Sequence, residues 1–146
     1  MATNATRQTA SDTLLSPRER VLSALRHEEP DMVPIDFGAM RSTGIHAMAY
    51  NQLKKHLGIR GGRTKVYDVF QQLAEPEEGI RRLMGADVIQ LHRLAPAFEI
   101  PLTGWKPGTL PDGSACDYPA EFNPVELPDG SRELRRDGRV IARMPA

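Results

Sequence analysis

With one cysteine, Cys116, the sequence has no partner for an internal disulfide, and such usage fits a reducing, cytoplasmic setting. Aromatic residues are also scarce, at 5% of 146 residues. Twelve prolines and twelve glycines, many of them in the second half, leave that half thin in core-forming material. Net charge is absent too: nineteen basic residues balance nineteen acidic ones with no long block of either sign. Such a chain carries no electrostatic footprint for nucleic acid and offers little to an anionic membrane surface. No apolar run approaches the roughly 18 residues that suggest a membrane-crossing helix. Residues 1–15 are rich in Thr, Ala and Ser and lack an apolar centre. They read as a disordered tail rather than a secretory signal. What remains, 40% hydrophobic and 26% charged, is the composition of an ordinary folded domain.

Ser16-Pro17-Arg18-Glu19 has the form of a capping box, which predicts a helix starting there with Val21, Leu22 and Leu25 on its apolar face. Pro30 ends helical geometry before it, near His27. Val33 to Phe37 is a short apolar run closed by Gly38, which predicts a buried strand leading into the loop GAMRSTG. Ile45, Met48, Ala49, Leu53 and Leu57 recur at helical spacing up to Gly58. Shorter helices are expected over Val66–Leu73 and Glu75–Met84, and a second strand over Asp87–Leu91, followed by His92 and Arg93. Strand, helices and strand with long crossovers imply a parallel β/α arrangement. After Leu94 the helical period disappears. LPDGS occurs at 110–114 and again at 127–131, and Asp137-Gly138 supplies a third turn. ELRR-DG-RVIA therefore predicts a hairpin of Glu133–Arg136 against Arg139–Ala142, and the tail reads as a β-meander. The duplicated LPDGS is read as repeated turn chemistry, since its flanks differ.

The stretches RERVLSALRHEEPDMVPIDFGAM, YNQLKKHLGI and VYDVFQQLAEPEEGIRRLMGADVIQL, followed by the PDG-rich tail, resemble the amino-terminal part of the uroporphyrinogen decarboxylase superfamily. Within it, the match is to the branch of cobalamin-dependent methyltransferase-like proteins. The resemblance implies an α/β chain folded as the beginning of a TIM (β/α)8 barrel. Such barrels take about 250 residues, so residues 16–146 are expected to be an incomplete, amino-terminal portion, with 94–146 a hairpin-rich insertion or edge. A self-contained α+β domain is the alternative.

Function follows the same resemblance: methyl transfer between a corrinoid and a thiol or related acceptor, with decarboxylation of uroporphyrinogen or a non-catalytic binding module as alternatives. The resemblance implies a small molecule or a corrinoid protein as substrate partner, and a homodimer. Barrel enzymes carry their chemistry on loops after the strands, which selects Asp36, Arg41, His92 and Arg93. Asp36 would orient a substrate or cap the following turn. Arg41 stands in MRSTGI where the decarboxylases carry an arginine that faces substrate carboxylates, and Ile45 replaces their second arginine. The acid that the decarboxylases place after the second strand is replaced here by His92 and Arg93. His92 is suited to proton transfer near neutrality, and Arg93 to binding substrate.

No metal ligand set is expected within the chain. Its four histidines form no His-x-x-x-His pair, and Cys116 stands alone. Corrinoid and zinc would belong to a full-length protein. Gly61-Gly62-Arg63-Thr64 lacks the full phosphate-loop pattern and is read as a linker.

Overall fold

The computed structural model describes residues 14–145. The tail expected over 1–15 lies outside them except for Leu14 and Leu15. Helix α1 (Pro17–Leu25) starts as its capping box dictates: Ser16 Oγ accepts from the Glu19 amide, and the Glu19 carboxylate accepts from the Ser16 amide at 3.0 Å. Helix α2 (Ala47–His56) is capped by the His46 imidazole, which accepts from the Met48 amide. Between them lies a 3-10 turn over Arg41–Thr43.

Three small antiparallel sheets make up the rest, and this overturns the incomplete barrel expected from the sequence. The first combines β1 (Ile45–His46), β3 (Leu73–Ala74) and β2 (Val66–Asp68), in that order. Val66–Leu73 is thus not a helix. Asp68 Oδ1 accepts from the Phe70 and Gln71 amides, both at 3.0 Å, and this local turn replaces helical hydrogen bonds. Helix α3 is confined to Glu78–Leu83. The second sheet is a hairpin of β4 (Trp105–Thr109) and β5 (Ala115–Pro119), and the third joins β6 (Val125–Glu126), β7 (Arg132–Arg136) and β8 (Arg139–Met144). Among the described residues the one parallel pairing is an isolated bridge between Lys65 and Asp117, which ties the first sheet to the second.

Neither expected parallel strand forms. The two segments do lie side by side: the Asp87 amide donates to the Ile35 carbonyl at 2.9 Å, and Asp87 Oδ2 accepts from the Ile35 amide at 2.8 Å. Parallel strands persist where both faces are covered, and here the flanking side chains are bare. Val33 is 80% exposed, Ile89 74% and Leu91 98%. The junction is held by charge instead. Arg20 on α1 donates to Asp31 and Asp87, and its Nη2 also reaches the Leu15 carbonyl at 2.9 Å.

Asp-Gly chemistry builds the carboxyl-terminal half as its sequence predicts. The β7–β8 hairpin pairs Arg136 with Arg139 across Asp137 and Gly138, whose φ values of 49° and 75° suit a two-residue turn. Both LPDGS turns use the same bonds: the Asp112 and Asp129 carboxylates accept from the amide and hydroxyl of Ser114 and Ser131 respectively. The half is less thin than its composition suggests. Leu110, Cys116, Tyr118, Phe122 and Leu134 join Ala47 and Tyr50 of α2, Val66 of β2 and Ile80 of α3 in one core.

Candidate functional site

Gly38 begins the construction of the site. Its φ is +79°, and a Cβ there would lie 2.6 Å from Pro76 Cγ, so only glycine lets the 36–44 loop fold against the segment entering α3. Asp36 Oδ1 caps that turn, accepting from the Ala39 amide at 2.7 Å. The loop then delivers Arg41 to β2. Arg41 Nε lies 2.6 Å from Asp68 Oδ2, a contact of charges without hydrogen-bond alignment, while Nη2 donates to the Pro96 carbonyl. Asp68 is wholly buried, whereas the Arg41 side chain remains 44% exposed.

Tyr67 and His92 complete the cluster. Their rings meet edge to face with centroids 4.8 Å apart. His92 Nε2 is 3.7 Å from Glu75 Oε1, and its Nδ1 is sealed from solvent without a hydrogen-bond partner. Tyr67 Oη and Gln90 Oε1 share that condition. Gln90 is near enough to pull the phenol's pKa down, yet their geometry falls short of a hydrogen bond. Burial outweighs this, so Tyr67 titrates above the ordinary tyrosine range, and the charges of Asp68, Arg41 and Asp36 all act on it. With Asp68 Oδ2, four polar atoms here lack a hydrogen bond, which is uncommon because buried polar groups nearly always find partners.

Asp36, Arg41 and His92, separated by up to 56 positions in sequence, thus surround Tyr67 and Asp68. Arg93 is exposed at the rim and makes no ion pair among the described residues. Sequence reasoning missed Tyr67, Asp68, Glu75 and Gln90. The β-favouring Val-Tyr before Asp68 was the available signal for the first two.

No described group of three or more His, Cys, Asp and Glu side chains could hold a metal ion. Cys116 lies in β5, away from the cluster, with its pKa raised by burial and then by Asp117 and Asp112. No described helix is long and apolar enough to cross a membrane. No protein-family model, curated protein or solved structure matches the chain.

Proposed function

We propose that the chain supplies the substrate-binding, proton-handling part of a cytoplasmic enzyme of small-molecule methyl transfer, similar to the corrinoid-linked branch of the uroporphyrinogen decarboxylase superfamily. The convergence of Asp36, Arg41 and His92 around an unsatisfied Tyr67 hydroxyl carries this reading. Arg41, steadied by Asp68 and Pro96, keeps part of its guanidinium open to an anionic group of the substrate. The Tyr67 hydroxyl and His92 Nδ1 lie sealed behind it without a hydrogen-bond partner, where they act on the charge of the site rather than touch substrate. His92, with Glu75 beside it, can accept or return the acceptor's proton.

The residues present do not make the cofactor side of such a reaction. Of the two prominent cavities of the described residues, one meets the cluster only at Glu75 and the other not at all, and no described donor set suits zinc. Corrinoid and zinc would therefore be held elsewhere, on a corrinoid protein or further parts of the enzyme. Decarboxylation fits less well, because His92 stands where the decarboxylases carry an acid and Ile45 where they carry a second arginine.

The test is demethylation of a methylated corrinoid protein in the presence of the chain and a thiol, followed by absorbance. Turnover should fall about 100-fold in Arg41→Ala and in His92→Ala. Unchanged turnover in both variants would overturn the reading.

A further inference from the structure

The loop read as a linker forms the wall of a cavity that none of Asp36, Arg41, Tyr67, Asp68 or His92 lines. Gly61-Gly62-Arg63-Thr64, the end of α2 and the edge of β5 line this open cavity of about 680 Å³. That volume is within the range of about 300–1,000 Å³ in which small-molecule sites fall. Its floor is fixed in advance. Thr64 Oγ1 donates to Asn51 Oδ1 at 2.5 Å, Asn51 Nδ2 donates to Ser114 Oγ at 2.9 Å and to the Ala115 carbonyl at 3.0 Å, and the Asp117 amide donates to the Thr64 carbonyl at 2.8 Å.

Four cations line the cavity, Lys54, Lys55, Arg60 and Arg63, against one carboxylate, Asp117. Lys54 is matched from outside by Glu77 at 3.1 Å, and Arg63 grips both oxygens of Asp117. Lys55 and Arg60 have no ion-pair partner among the described residues. The negative pole of α2 accounts in part for lysines in its last turn. It does not account for Arg60, which lies past Gly58 on the loop. Ile59, Pro107 and Ala115 give the same cavity an apolar wall. We propose that this cavity binds a small organic phosphate monoester, its dianion between Lys55 and Arg60 and its organic part against Ile59 and Pro107. Two unmatched cations meet a dianion's charge, and guanidinium suits phosphate oxygens.

Phenyl phosphate and inorganic phosphate are the probes, titrated into the isotope-labelled chain with amide shifts as readout. Phenyl phosphate should shift Gly58, Gly61, Gly62, Thr64 and Ala115 and bind with a Kd of about 1 mM or tighter, inorganic phosphate about tenfold more weakly. Lys55→Gln with Arg60→Gln should weaken phenyl phosphate at least about tenfold, while Lys55→Arg with Arg60→Lys retains it. Shifts absent from these amides in the wild-type chain would overturn the proposal, whatever the variants do. Equal affinity for the two probes, or binding indifferent to the double glutamine substitution, would overturn it as well.

Discussion

Tyr67 sets stability against function within a single side chain. Its ring is buried against His92, but its hydroxyl is sealed away from water without a partner. A buried polar group left unmade costs about 1–3 kcal/mol, and structures keep such a cost where function needs the group. Tyr67→Phe removes the hydroxyl and leaves the ring in place. It should leave the fold unharmed or stabilise it by about 1 kcal/mol in urea unfolding, and it should reduce turnover. A clear loss of stability would mean the hydroxyl is satisfied in solution and is not an unmet group kept for function. Sequence reasoning passed over Tyr67 because a helix was expected over Val66–Leu73. Asp68 decides otherwise, since its carboxylate captures the two amides that would continue a helix. The resemblance selected Asp36, Arg41 and His92 from the ends of strands that do not form, and their approach to Tyr67 depends on contacts absent from the sequence pattern. Arg93 shared their sequence context but faces solvent.

Elements whose bonds are local were legible, and those that depend on distant neighbours were not. The Ser16 capping box, the helix after His46 and the Asp137-Gly138 hairpin each contain their cause within a few residues. Val33–Phe37 and Asp87–Leu91 read as strands because their apolar pattern suits one. Strand identity also requires a bonded neighbour, and each segment finds only the Ile35–Asp87 junction. The loop between α1 and β1 depends on a similarly distant contact, that of Gly38 with Pro76. Gly38→Ala combines a left-handed backbone, costing about 1–2 kcal/mol, with an overpacked contact costing about 1–3 kcal/mol. A loss of at least about 2 kcal/mol is expected, with loosening of Arg41 from Asp68. Gly138→Asn is the comparison, because its φ of +75° is similar but a Cβ there meets nothing within 4 Å. Asparagine tolerates that conformation, so a change below about 0.5 kcal/mol is expected. Equal losses at the two sites would show that backbone angle alone, and not the Pro76 contact, governs the loop.

Across the whole molecule, side-chain hydrogen bonds and ion pairs to carboxylates add to what a small core and short sheets supply. Every carboxylate with a resolved shift is held below its usual range: Glu19 by Ser16, Asp31 by Arg20, Asp112 by Ser114, Asp129 by Ser131 and Glu133 by Arg135 and Arg143. Asp31 is pushed down from 3.8 to about 2 by the Arg20 hydrogen bond. A carboxyl with a lower pKa in the folded state binds fewer protons there than when unfolded, so acid favours unfolding. The stabilisation is complete above the unfolded value and is lost as pH falls through the folded one. For Asp31 that window runs from about 4 down to about 2. The loss has a defined place, because Arg20 joins α1, Asp31 and the Asp87 segment. Urea midpoints measured from neutral pH downward should stay level until about pH 5 and then fall steeply toward about 2. Asp31→Asn should start lower at neutral pH and fall less. If the variant keeps the full acid slope, the Arg20 junction is not what acid dismantles, and the Glu133 pairing with Arg135 and Arg143 on β7 and β8 becomes the element that yields.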